Sequence, residues 1–205
     1  MSVRGALSPD AVIRRAAELA DAGGFDSVTL AAIARSFGVR TPSLYGHVRD
    51  LASVRDAVSA LALDELGEQV ADAIAGRSGC DALAGLAGAH RAYALAHPGR
   101  WQSMQRRVGD AVVDHPAAAR IVRHTDAVLH GYRVPPGDRV HATRLIGAAI
   151  SGFLALESHG SFDHSAPPAD HSWPVLIDAL HLALENWVER ADDHPTAERR
   201  DHATP

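Results

Sequence analysis

The chain has 205 residues, 46% of them apolar, which suffices for a substantial core and excludes general disorder. Its net charge of −5 argues at first against a polyanionic partner; residues 1–50, however, carry six Arg against five acids, so the acidity belongs to the remainder, with 14 Arg against 20 acids. A single cysteine, Cys80, excludes an intramolecular disulfide, and the longest apolar run, near Leu145 to Leu156, is broken by Gly and Ser and too short to cross a bilayer.

Helix signals begin at Ser8-Pro9-Asp10, an N-cap, a proline at the first helical position and an acid in the first turn. Val12, Ile13, Ala16, Leu19 and Ala20 form the buried stripe of this helix, and Gly23-Gly24 stop it. Thr29 caps the next helix, with Val28 and Ile33 placed as a hydrophobic staple. Leu30, Ile33, Ala34 and Phe37 give it one apolar face, and Gly38 ends it. Pro42 opens a second short helix. Two helices joined by a tight Gly-containing turn form the layout of a DNA-reading helix-turn-helix. Arg40, Thr41, Ser43, Tyr45 and His47 would then face base edges and phosphates. The plain alternative is a helical hairpin of an ordinary α protein, which leaves those polar residues without a role.

The stretch TLAAIARSFGVRTPSLYGHVR, Thr29 to Arg49, resembles the signature of the TetR family of one-component bacterial regulators. The matching residues are Thr29, Ile33, Ala34, Gly38, Val39, Leu44, Tyr45, His47 and Val48, without a gap, and the likeness extends from roughly Leu7 to Val58. One departure is Leu51, where the family usually has a Lys that meets a phosphate. Arg49 or helix-terminus amides are the available substitutes. The resemblance implies an all-α fold: an N-terminal three-helix DNA-binding domain over 1–50 and a larger helical ligand-binding and dimerisation domain over 51–192. A mobile polar tail is expected from 193 to 205.

A long helix begins at Asp50, with Leu51, Val54, Val58, Leu61, Leu66 and Val70 at helical spacing, and ends near Gly76 to Gly79. Further helices are predicted over about 81–96, 100–108, 116–132, 138–158 and 172–190, with a Gly-, Ser-, Pro- and His-rich loop from His159 to His171. Gly147, Ala148, Ser151, Gly152 and Ala155 form a stripe of small residues, and Leu176, Leu180, Leu184 and Trp187 a large apolar seam. The resemblance implies that these two helices pair with their copies as a four-helix bundle. Both stripes have a plain alternative as intramolecular core. Ser151 to Phe162 is also similar to the C-terminal region of a TetR subgroup named for a Trp…His-Gly motif, through Gly152, Leu156, Glu157, Gly160 and Phe162; Gly147 and Ser151 stand at its Trp and His positions.

Within the reading helix, Arg40, Thr41 and Ser43 lie at the end that contacts base edges. Arg40 is suited to guanine O6/N7, and Thr41 or Pro42 to a thymine methyl. Tyr45 and His47 are assigned to phosphates, as in the family, and Thr29 to both cap and phosphate contact. The effector pocket that the resemblance implies lies among the helices of 81–158. Tyr93, Trp101, Met104, Leu129, Leu145 and Phe153 are candidate lining residues, with His97, Gln105 or Thr125 for polarity. Each has an equal alternative as plain core.

Enzymatic readings find no support: there is no phosphate loop, nucleophile elbow or zinc-protease motif. The thirteen histidines lack the spacing of a metal site, and no cofactor is expected. With Arg4 and Pro9 near the start and no continuous apolar stretch there, a cytoplasmic protein is expected. The reading is a homodimeric repressor of a palindromic DNA operator, released by an unknown small-molecule effector, without membrane association. Its alternative is a small-molecule-binding protein of the same fold whose DNA reading is lost or weak.

Overall fold

The computed structural model describes residues 7–106, 109, 112 and 114–188. The predicted tail from 193 and the end of the 100–108 helix lie outside the described residues. Those residues form helices and connecting turns, with no strand among them. We number the α-helices in chain order: α1 (Pro9–Gly23), α2 (Leu30–Phe37), α3 (Leu51–Ile74), α4 (Gly79–Ala96), α5 (Pro98–Gln105), α6 (Pro116–Leu129), α7 (Arg139–Ser158) and α8 (Ala169–Glu185). None is long and apolar enough to cross a membrane.

Side-chain caps set the starts of α1, α2 and α3. Ser8 accepts from the Ala11 N–H at 3.2 Å, and Thr29 from the Ala32 N–H at 3.1 Å. Asp50 opens α3 with a reciprocal capping box: its carboxylate accepts from the Ser53 N–H at 2.6 Å, while the Ser53 hydroxyl accepts from the Asp50 N–H at 3.1 Å. The predicted second helix of the helix-turn-helix is instead a 3₁₀ turn, Thr41–Gly46. With Pro42 near its start and Gly46 at its end, this six-residue run has little α-helical propensity, and short pieces of that kind take i→i+3 bonds.

Two apolar clusters form. One joins α1, α2 and the start of α3 through Val12, Ala16, Phe25, Ile33, Leu44, Val54 and Val58. The other joins the rest of α3 to α4–α8 through Leu66, Leu83, Leu86, Tyr93, Trp101, Leu129, Ile146, Ile150 and Leu184 among others. The long helix α3 takes part in both.

The final helix starts at Ala169, three residues before the predicted Ser172, and stops at Glu185. Its predicted seam turns inward. Leu180 and Leu184 are buried in the protomer, and Leu176 and Trp187 are packed against the same cluster. Val175 and Leu182 occupy the opposite, exposed face, 64% and 60% accessible. On α7, Ile146, Ile150 and Leu154 are buried, while Leu145, Ala148, Gly152 and Leu156 form an exposed row. An amphipathic helix has one face for its own core; here a second apolar strip is left over.

Candidate nucleic-acid interface and effector cavity

One polar edge of the N-terminal unit is built by α2, the turn that follows it and the start of α3. Arg55 of α3 donates from Nη2 to the Val28 carbonyl at 3.2 Å, and its guanidinium lies 5.5 Å from the centre of the Phe25 ring. This fixes the entry to α2 against α3. Sequence reasoning missed Arg55, and no local signal ties it to residues 27 positions earlier. At the other end of α2, Gly38 takes the left-handed conformation, φ 69°. Its N–H donates to the Arg35 carbonyl and that of Val39 to the Ala34 carbonyl, each at 3.0 Å.

The turn is anchored by one side chain. Leu44 is fully buried, while Arg40, Pro42, Ser43 and Tyr45 are exposed around it, and Thr41 and His47 are half-buried. The Ser43 N–H donates to the Arg40 carbonyl at 2.9 Å and the His47 N–H to the Leu44 carbonyl at 2.8 Å. Backbone bonds therefore hold the geometry and leave the outward side chains free of structural duty. Tyr45 is 58% accessible, a large exposure for an aromatic side chain that the core has not used. Thr29 caps α2 from an exposed position on this edge. Arg49 is exposed too, and its Nε donates to Asp50 at 3.0 Å. The Ser53 amide, with Arg49 assisting, holds the Asp50 carboxyl below its usual range.

The residues predicted for an effector pocket separate. Tyr93 and Leu129 are buried in the core, and the Tyr93 hydroxyl donates to Glu65 at 2.7 Å. Burial, with Glu65 beside it, pushes that hydroxyl's pKa well up, so it remains a donor. The His97 Nδ1 lies 3.3 Å from Asp21 of α1, at the junction of the two clusters. Met104 is partly buried against the core, Gln105 is exposed, and Leu145 is exposed on the outer row of α7. Phe153 stacks with Phe162 at 5.0 Å and Trp173 at 5.1 Å, and Trp173 carries the Arg91 guanidinium on its face.

Of the predicted residues, Thr125 and Trp101 each line a cavity among the described residues. Thr125 borders a space of about 130 Å³ among α4, α6 and α7, walled by Leu86, His90, Ile121, Ile146 and Ile150, with Thr143 and Ser151 hydroxyl-bearing neighbours. Trp101 borders a second space of about 100 Å³ with Leu95, Leu154 and Glu157. His90 and Trp101 meet edge to face at 6.1 Å. The pairs Leu86/His90, Ile121/Thr125 and Ile146/Ile150 stand four residues apart on three helices, a spacing present in the sequence whose convergence only the packing supplies. A wider groove of about 320 Å³, rimmed by Asp10, Arg14, Asp64 and His115, runs along α1 and α3. Apart from His115, which caps α6, its lining comes from α1 and α3.

Comparison with known proteins agrees with this division. Residues 12–50 match the family described as bacterial regulatory proteins, tetR family, and residues 83–180 match the tetracyclin repressor-like C-terminal domain. An uncharacterized HTH-type transcriptional regulator of Mycobacterium tuberculosis is 34% identical over 190 residues, 92% of this chain and 84% of that one. Another from Bacillus subtilis is 29% identical over 80% of this chain and 85% of its own. Among solved structures, a TetR variant of Acinetobacter baumannii in complex with minocycline superposes with a TM-score of 0.66 at 21% identity, covering 90% of this chain and 99% of its own.

Proposed function

The chain belongs to the TetR family of transcriptional regulators, and from that premise we propose that it acts as a homodimeric repressor, binding a palindromic operator and leaving it when a small molecule occupies the C-terminal domain. The DNA-reading proposal rests on the turn Thr41–Gly46, where Leu44 alone is buried and Arg40, Pro42, Ser43 and Tyr45 face outward. Arg40 and Ser43 would read base edges, and Tyr45, His47 and Thr29 would meet phosphates. Arg49 would take the phosphate contact that Leu51 cannot make, by turning from Asp50.

Two copies are required because one short reading turn covers only one half-site, and the exposed row Leu145, Ala148, Gly152 and Leu156 with Val175 and Leu182 offers the apolar surface for pairing. An effector regulates only if it favours the shape that cannot span both half-sites. The route for that change runs through α3, which carries the start of the effector domain, and through α5, which is docked on α1. Selection of bound DNA from a random pool, with the full chain, tests the proposal. A palindrome with half-sites about 34–36 Å apart, or a multiple, is expected. No enrichment of any sequence would favour the alternative, a ligand-binding protein without DNA reading, toward which Leu51 and the engaged Arg49 point.

A further inference from the structure

The cavity of about 130 Å³ among α4, α6 and α7 has no acidic or basic lining side chain other than His90. Its walls are chiefly Leu86, Ile121, Val122, Ile146 and Ile150. The His90 Nδ1 lies 2.8 Å from the Leu86 carbonyl, an acceptor, so Nδ1 carries the proton and donates. The ring is then left with one polar atom to offer, the lone pair of Nε2. Burial pushes the imidazole below its usual range, so it stays neutral and Nε2 stays an acceptor. Thr125 has spent its hydroxyl proton on the Ile121 carbonyl at 3.1 Å and likewise offers lone pairs.

A space of this size matches a small ring: an apolar cavity of about 150 Å³ takes up benzene. The space opens to solvent beside Val122 and Gly147, but a charged ligand seated in it would meet apolar walls and no counter-ion in exchange for the hydration it gives up. We propose that this cavity takes an uncharged, benzene-sized ligand bearing one O–H or N–H, which donates to Nε2 of His90. The proposal rests on the reading of the C-terminal domain as the effector domain and supplies the chemistry of what it recognises. The edge contact of His90 with Trp101 adds a way for occupancy to be felt in α5, because any shift of the imidazole meets the indole.

The probes are phenol, benzene and benzoate, titrated into the full chain by calorimetry, with the ¹⁵N signals of the histidine rings followed in parallel. Phenol should bind about fivefold or more tighter than benzene, the worth of one net hydrogen bond, and benzoate should not bind. The His90 Nε2 signal should move with phenol and stay with benzene. His90→Phe keeps a ring of similar shape and should bring phenol and benzene within about twofold of one another. Should that variant fail to fold, the wild-type nitrogen signal still decides. Equal binding of phenol and benzene, tight binding of benzoate, no binding at all, or an unmoved Nε2 signal would each overturn the proposal. Operator affinity, measured with phenol saturating, separates the two ideas. Phenol bound through Nε2 with operator affinity unchanged leaves the site standing and removes effector release. Release by a charged molecule that leaves the Nε2 signal still keeps effector release and overturns this site.

Discussion

Asp21, near the end of α1, holds Arg100, near the start of α5, by two contacts: the Arg100 N–H donates to one carboxylate oxygen at 2.9 Å, and its Nε lies 3.0 Å from the other. Arg100 also donates from Nη1 to Glu65 of α3, which accepts from Tyr93 of α4. Four helices thus meet at one partly buried cluster of charge. Beside it Gly99 lets α5 sit directly on α1, since a Cβ there would come within 2.0 Å of the Ala20 carbonyl. The N-terminal unit is therefore tied to the C-terminal helices by packing as well as by the continuous helix α3. Arg100→Ala should lower stability by about 1.5–3 kcal/mol, the range for charge-assisted bonds, in urea unfolding. It should also reduce the change in operator affinity on effector binding, because α5 is then less firmly coupled to α1. Full effector response in a destabilised Arg100→Ala protein would show that α3 alone carries the signal.

Arg40 and Tyr45 are both exposed on the turn Thr41–Gly46 or at its start, yet their replacement should differ in kind. Arg40→Ala should relax preference at one base pair in each half-site, at about 1–3 kcal/mol if the lost contact is bidentate. Tyr45→Ala should weaken all sequences alike, since a phosphate contact carries no sequence information. Binding to matched and singly mismatched duplexes measures both, and the same loss of discrimination in the two variants would contradict the assignment.

Local chemistry made much of the fold legible in advance. Ser8, Thr29 and Asp50 cap the helices they were expected to start, and Gly38 takes the left-handed conformation at the end of α2, because caps depend on residues within a few positions of one another. What needed the third dimension was not legible. Periodicity marks Leu180 and Leu184 as one apolar face but does not say whether that face meets its own protomer or a copy; they lie in the protomer core. Likewise no pattern on α4 marks His90 as lining a cavity until Ile121, Thr125 and Ile146 arrive from two other helices to form its walls. The Asp21–Arg100 contact joins residues 79 apart, and neither has a neighbour in sequence that announces it.

Burial lowers the pKa of both His90 and His124, the second with help from Arg120 and Arg123. Each folded value lies below the ordinary 6.5 of an exposed imidazole, so below that pH the unfolded chain binds more protons than the folded one. The stabilising difference is present above about pH 6.5 and is lost as the pH falls through the folded values. The urea midpoint should therefore drop between about pH 7.5 and pH 5.5. His90→Phe should make that drop smaller, and a second replacement at His124 should make it smaller again. A wild-type midpoint that rises over this interval, or a slope identical in His90→Phe, would be the contrary result.

Leu182 and Leu184 stand two residues apart on α8 and face opposite ways, 60% and 0% accessible. A charge at each therefore tests a different surface. Leu184→Glu buries a carboxylate in the α3–α8 core and should unfold the domain. Leu182→Glu should leave the helical circular dichroism and a cooperative melt intact, yet convert the sedimenting species from dimer to monomer, because the exposed strip of α8 and the row Leu145, Ala148, Gly152 and Leu156 on α7 are the apolar surfaces proposed above for pairing with a second copy. Affinity for a palindrome should then fall about 100-fold or more, while affinity for a single half-site changes little, since linkage of two sites raises avidity by about 10²–10⁴ without new contacts. Gly152→Arg on α7 gives an independent check: beyond the backbone of its own helix no atom lies within 4 Å of the position its Cβ would take, so the protomer should accommodate an exposed side chain there and a close partner helix should not. Dimers that persist in both Leu182→Glu and Gly152→Arg would place the interface on some other face of the protein.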